Sequence, residues 1–197
     1  MSEITFRRLA GDELIAYLPE LARLRIEVFH AFPYLYDGTL EYEQAYLQTY
    51  AAAPESVIVG AFDGDKLVGA ATATALAREP DYVTDAFKNY GWDPAEFFYY
   101  GESVLQKAYR NRGIGVRFFV EREKHAREQG YKKAVFCAVD RAIDHPRRPA
   151  DYVPLDDFWR RRGFSKVENL RCFFSWQDLD ESAQSEKSMT FWRKDFS

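Results

Sequence analysis

Arg110, Arg112, Gly113 and Gly115 stand close together in the segment YRNRGIGVRFFVEREKHAREQG, residues 109–130. Glycine lets main-chain N–H groups come close to an anion, because no side chain stands in the way. From Val116 to Gln129 the apolar residues Val116, Phe119, Val120 and Ala126 recur at helical spacing, and Gly130 is a natural stop. A helix opening just behind the glycines turns its unpartnered first-turn N–H groups, and the positive end of its dipole, toward that anion. Arg110 and Arg112 add positive charge. This chemistry suits a pyrophosphate better than a lone metal ion or an amine.

Other phosphate and nucleophile motifs fail residue by residue. The dinucleotide fingerprint needs a third glycine where Phe118 stands, and no Gly-Lys-Ser/Thr follows for a nucleotide-triphosphate loop. RGIGVRFF resembles an RNA-recognition strand, but Ile114 and Val116 occupy its aromatic positions and the run that follows is helical. GESVL has Leu105 where a serine nucleophile elbow requires glycine.

Composition narrows the classes further. The chain has 197 residues, 47% hydrophobic and 17% aromatic, enough for one sizeable core with some rings left to line a pocket. A net charge of −4 argues against a nucleic-acid partner. Cys137 and Cys172 are the only cysteines and form no CxxC pair, so neither a disulfide framework nor a metal site is expected. MSEITFRRLAGDEL does not read as a signal peptide, and no run reaches the ~18 apolar residues of a membrane helix. These features predict no membrane association and a cytoplasmic location.

The elements that must position the motif read as follows. EITFRRL (3–9) is a strand; helices follow from Glu13 to Phe32 and over LEYEQAYLQTYAAA, separated by the breaker FPYLYDGT. SVIVGAFD and KLVGAATATAL form a hairpin about Gly64-Asp65. Residues 77–96 are an insertion with a short helix near 83–90, read as a lid or a subunit contact of a homodimer. FFYYGESVL (97–105) is the strand ahead of the motif. KAVFCAV is a buried strand, 140–154 a long Pro-rich loop, and LDDFWRRRGF a short helix. LRCFFSWQDL and SMTFWRKDF close the chain as strands. The order β-α-α-β-β-β-α-β-α-β-β over one domain, 1–197, predicts an α/β (α+β) fold: a mixed, mostly antiparallel sheet with helices on both faces.

At these residues the chain resembles the GNAT superfamily of acetyl-CoA-dependent N-acetyltransferases. Arg110-x-x-Gly113-x-Gly115 matches the family's Gln/Arg-x-x-Gly-x-Gly/Ala signature, FWRRRGF is similar to its C-terminal Phe-Tyr-x-x-x-Gly-Phe, and the element order agrees over the whole chain. The resemblance implies a single GNAT domain using acetyl-CoA, without a metal, to acetylate a primary amine of a small molecule or peptide. It implies that the backbone of Ser103, Val104 and Leu105 pairs with the pantetheine arm. Asn111, Arg112, Gly113, Ile114, Gly115 and Val116 would cradle the pyrophosphate, with Arg110 at the signature's first position.

For the chemistry, the resemblance points to Glu102 as the base facing the acceptor cleft, directly or through a water; an ion pair or a solvent-facing strand position is the alternative for this carboxylate in an aromatic strand. The family's acidic tyrosine is replaced by Trp159, whose indole cannot protonate a thiolate at neutral pH. Tyr152 is a substitute, against solvent protonation. Asp140 and His145 stand near the family's asparagine position, and Arg160–Arg162 form a solvated helix face. In this fold the first two helices and their connection wall the acceptor site, which here offers Tyr34, Tyr36 and Glu41 to a cationic amine. Two rivals stay open: a non-catalytic acyl-CoA sensor and a regulatory or interaction module.

Overall fold

The computed structural model describes residues 3–197. Seven strands form one sheet in the order β1-β2-β3-β4-β5-β7-β6. They are β1 (Ile4–Leu9), β2 (Val57–Asp63), β3 (Lys66–Ala75), β4 (Phe98–Leu105), β5 (Lys133–Val139), β6 (Ser165–Trp176) and β7 (Ser185–Asp195). Every neighbouring pair is antiparallel except β4 and β5, which run parallel. The helices are α1 (Gly11–Phe29), α2 (Leu40–Ala52), α3 (Asp81–Tyr90), α4 (Ile114–Glu128) and α5 (Asp156–Arg160).

Side-chain alternation along the strands builds a core on each face. Val57, Val59, Phe98, Tyr100 and Phe136 pack on one face with Phe118 and Phe119 of α4. On the other, Ile58, Phe62 and Val104 meet Leu14, Leu21 and Leu47 of α1 and α2. Tyr99, Val135, Cys137 and Phe191 meet Val83 and Phe87 of α3. The 77–96 insertion is thus anchored: Phe87 is fully buried against Phe97 and Phe191, while Tyr82 and Tyr90 stay exposed. No helix among the described residues is long and apolar enough to cross a membrane.

Several boundaries differ from the sequence expectation. α1 ends at Phe29, short of Phe32, because the residue before Pro33 is pushed out of the helical region. α4 begins at Ile114, behind Gly113 in the left-handed conformation (φ 78°). Its buried stripe is Ile114, Phe118, Phe119, Arg122, His125 and Ala126, whereas Val120 faces solvent. β6 starts at Ser165 rather than Leu170, since a short pairing at Ser165 and Lys166 and a longer one over Arg171–Trp176 flank an irregularity at Asn169 (φ 61°) that breaks the alternation.

Two features of β4 set the geometry of everything that follows. It pairs with β5 only at Phe98–Ala134 and Tyr99–Val135, so no β4 residue beyond Tyr99 is paired with β5. On its other edge the register slips: Ala71 faces Ser103 while Ala73 faces Tyr100. Such a bulge adds a residue and switches the alternation. Phe97 and Tyr99 face the α3 side before it, and Val104 faces the α1 side of that same surface after it.

Candidate active site

The bulge is held from below by a buried cation. Arg122, on the apolar stripe of α4 and 2% exposed, donates to the carbonyls of Thr72 (3.3 Å) and Glu102 (3.2 Å) and to Ser103 Oγ (2.8 Å). Its guanidinium lies over the Tyr100 and Phe119 rings. Burial pulls it down to about 10, so it stays a cation at neutral pH. From above, Thr72 Oγ1 accepts the Glu102 N–H (3.1 Å). Gly101 is required here: a Cβ would stand 2.5 Å from both Thr72 Oγ1 and the Tyr50 hydroxyl.

Past the bulge the β5-facing edge of Gly101–Leu105 leads directly into the glycine turn. A short 3-10 turn, Lys107–Tyr109, follows, with Arg110 N–H donating to Lys107 O (3.2 Å). Asn111 (φ 62°) and Gly113 (φ 78°) are both left-handed, and the first helical bond runs from Arg117 N–H to Gly113 O (3.1 Å). The N–H groups of Ile114, Gly115 and Val116 thus have no partner within the helix. Arg110 and Arg112 are exposed beside them, and Arg112 lies over the Tyr109 ring, whose hydroxyl donates to Asp63 (2.8 Å). A Cβ on Gly115 would touch the Phe158 ring at 3.4 Å, so this glycine keeps α5 close. An open strand edge, free N–H groups and two cations fit the elongated, anionic shape of a coenzyme A derivative.

The opposite half is made of side chains. Arg25 sits on the apolar stripe of α1 and pairs with both Glu43 of α2 and Glu102 of β4, all three side chains being at most 9% exposed. Burial works against the Arg25 charge, and Glu102, Tyr46 and Glu43 outweigh it. The Tyr46 hydroxyl donates to Glu102 Oε2 (3.1 Å) and shares a hydrogen bond with Tyr50 (3.0 Å). Burial and the Glu102 charge push both phenols up, so they stay protonated donors. Glu102 is therefore engaged by a guanidinium and a phenol, not free toward a cleft.

The remaining sequence candidates separate. Tyr34 tilts against Phe29 (4.7 Å between ring centres) and Trp176 (6.0 Å), within electrostatic reach of Glu102 and Cys137. Arg141 locks that segment by donating to the carbonyls of Pro33 and Tyr34 and to both oxygens of Asp178. Tyr36 faces Glu43 and lies over Gly38. Glu41 is exposed in the first turn of α2, and Glu43, one helical step inward, is the carboxylate that reaches the site. Trp159 packs on Phe136 (5.0 Å) and Trp192 (5.1 Å), while Phe158 borders Gly115. Tyr152 packs edge-on to Phe32 (4.6 Å). Asp140 accepts from Ser188 and Thr190 and braces the sheet. Cys137 and Cys172 are buried free thiols.

Sequence reasoning missed Arg25, Glu43, Tyr46, Tyr50 and Arg122. A usable signal exists for the charged ones. Arg25 continues the stripe Leu14–Leu18–Leu21, Glu43 precedes Leu47 and Tyr50 on theirs, and Arg122 lies between Phe118 and Ala126. A charge on a buried helical stripe needs a buried partner.

Residues 19–150 match the model of the acetyltransferase (GNAT) family. Among solved structures, a ribosomal-protein-alanine N-acetyltransferase from Brucella melitensis superposes with a TM-score of 0.63 at 14% identity, covering 98% of this chain and 99% of that one. A GCN5-related N-acetyltransferase from Kribbella flavida gives 0.62 at 16% identity, covering 98% of each. yncA from Salmonella typhimurium, solved with its cofactor acetyl-CoA, gives 0.62 at 11% identity, covering 98% and 94%. At these identities the likeness shows the fold. No curated protein matches the sequence significantly.

Proposed function

Because this chain belongs to the acetyltransferase (GNAT) family and is an acyltransferase, we propose that it transfers the acetyl group of acetyl-CoA to a primary amine of a small molecule. The observation that carries this reading is the continuity of the unpaired β4 edge with the Gly113-capped start of α4. When bound, acetyl-CoA supplies the activated thioester. The main chain of Ser103, Val104 and Leu105 orients the pantetheine arm. The N–H groups of Asn111, Arg112, Gly113, Ile114, Gly115 and Val116, with Arg110 alongside, hold the pyrophosphate at the helix N-terminus. Arg122 keeps the strand edge from relaxing, so its groups point one way before the ligand arrives.

The amine enters the other half. Glu102 and Glu43 outnumber Arg25, so this buried face carries a standing negative charge that draws an alkylammonium. Tyr34, Tyr46 and Tyr50 give it aromatic walls. A rival reading, an acyl-CoA sensor without turnover, draws on Trp159 as a packed indole where the resemblance calls for a tyrosine. Thiol release from acetyl-CoA over a panel of primary amines separates the two. Saturable release with at least one amine is the expected result; acetyl-CoA binding with no release for any amine would establish the sensor.

A further inference from the structure

Three connections meet at the end of the sheet where β4 and β5 part: α1–α2 (30–39), β5–α5 (140–155) and β6–β7 (177–184). The first is pinned along its main chain. The N–H groups of Tyr34 and Leu35 both donate to Ala31 O (3.1 Å each), and that of Tyr36 donates to Phe29 O (2.9 Å). Asp37 N–H then donates to Gln177 O (3.0 Å) and Leu179 N–H to Leu35 O (2.8 Å), which makes Tyr36 an antiparallel partner of Asp178. Leu35 is 3% exposed and left-handed (φ 54°), a conformation leucine adopts only where its surroundings impose it.

Side chains from the other two connections complete the clamp. Arg141 Nε donates to Pro33 O (2.6 Å) and Nη2 to Tyr34 O (2.8 Å), while the same guanidinium pairs with both Asp178 oxygens (2.7 and 2.9 Å). Trp176 Nε1 donates to Tyr34 O (3.1 Å) and to Asp178 Oδ1 (2.8 Å). Asp178, buried, therefore aligns both donors that the Tyr34 carbonyl receives. The ring that this fixes spans the fork of the sheet. On one side it lies against Phe29 (4.7 Å between ring centres), and Phe29 lies under the Arg25 guanidinium (5.2 Å), the partner of Glu102 on β4. On the other it packs on the cluster that holds Tyr99 of β4 and Cys137 of β5. The hydroxyl and thiol of those two meet at 3.2 Å just past the last β4–β5 pair, Tyr99–Val135.

We propose that Arg141 and Asp178 are positioning residues for the acceptor amine: they fix Tyr34 across the fork of β4 and β5, where its ring walls the amine site beside the strand edge assigned to the acyl donor. This rests on the acetyltransfer reading above. The clamp grips carbonyls and not the ring, so it sets where Tyr34 stands without filling the space an amine would take. Only a planar fork reaches two carbonyls and a carboxylate together, which a lysine ammonium does not. A wall ordered in advance lowers the cost of ordering it on binding. Losing the clamp therefore weakens the amine's hold and spares acetyl-CoA, whose proposed contacts lie on the main chain of β4 and α4.

The test is a kinetic double-mutant cycle on the full chain with any primary amine that is turned over. Arg141→Lys keeps a cation beside Asp178 but loses the fork. Alone, it is expected to raise the amine KM by about 10-fold or more, with kcat and acetyl-CoA affinity within about twofold of wild type. In a Tyr34→Ala background the same substitution is expected to change the amine KM by no more than about twofold, because the side chain it positions is gone. A clamp that served stability alone would act equally in both backgrounds. That result, or an unchanged KM in the single variant, overturns the assignment. Where Arg141→Lys does not unfold cooperatively, Asp178→Asn, of the same shape, runs the same cycle with the same expected and overturning results. A wild type that binds acetyl-CoA but acetylates no amine overturns the transfer reading, and the acceptor role with it, before any variant is compared.

Discussion

The two halves of this site are built from different materials. The half proposed for acetyl-CoA is main chain: an unpaired strand edge, two left-handed residues and the first turn of α4. The acceptor half is side chain: Arg25, Glu43, Tyr46, Tyr50 and Glu102, drawn from α1, α2 and β4. A main-chain site tolerates sequence change so long as the backbone path is kept. A side-chain site depends on each partner, because a buried charge without its counter-charge is costly. Arg122 joins them, reaching from the stripe of α4 to the bulge that aims Glu102.

Breaking the acceptor half should have the largest effect on the fold. Arg25→Leu leaves Glu43 and Glu102 buried without their cation and is expected to cost about 3–5 kcal/mol of stability in denaturant unfolding. A loss under 1 kcal/mol would mean that water already reaches these carboxylates. The donor half should break differently. A Cβ at Gly113 meets nothing within 4 Å, so the cost of Gly113→Val is dominated by the strain of a left-handed β-branched residue, about 1–2 kcal/mol. Acetyl-CoA affinity, read by calorimetry, should fall by about tenfold or more as the turn relaxes.

A pH-dependent prediction concerns Glu79, half-buried at the end of the 3-10 turn Leu76–Arg78, whose carboxyl is raised by burial and then by the Glu102 charge. The folded Glu79 carboxyl lies above its unfolded value of 4.5, at about 7, so the folded state binds more protons between those values. Stability therefore falls as pH rises from about 4.5 to 7, and Glu79→Gln should flatten that slope, being about 1–3 kcal/mol more stable than wild type at pH 8. The opposite sign in thermal unfolding at pH 5 and 8 would place an unseen cation beside Glu79. The smallest effect is expected at Glu41. Being exposed in the first turn of α2, Glu41→Gln should cost no more than about 0.5 kcal/mol through the helix dipole and leave turnover unchanged.

The same difference in materials explains what the sequence made legible. The element order and the mixed, mostly antiparallel sheet follow from periodicity and turn residues, as with Val57–Asp63 and Lys66–Ala75 about Gly64. Glycines that release a turn are visible locally, so the Gly113 turn opening α4 was legible in the sequence. Glu102 was visible as a carboxylate among aromatics, but whether it faced solvent or a guanidinium depended on Arg25, over seventy positions away. The bulge that turns it toward Arg25 is a register slip against β3, which no local pattern encodes.

The central claim is that the main chain of β4 and α4 holds the acyl donor, while the side-chain half is left to the amine. An amide 1H–15N titration with acetyl-CoA tests it most directly. The account predicts saturable shifts concentrated at Ser103–Leu105 and Asn111–Val116, with Glu43, Tyr46 and Glu79 amides little changed. Shifts centred on α2 and the Glu79 turn, or no saturable shifts at all, would contradict it.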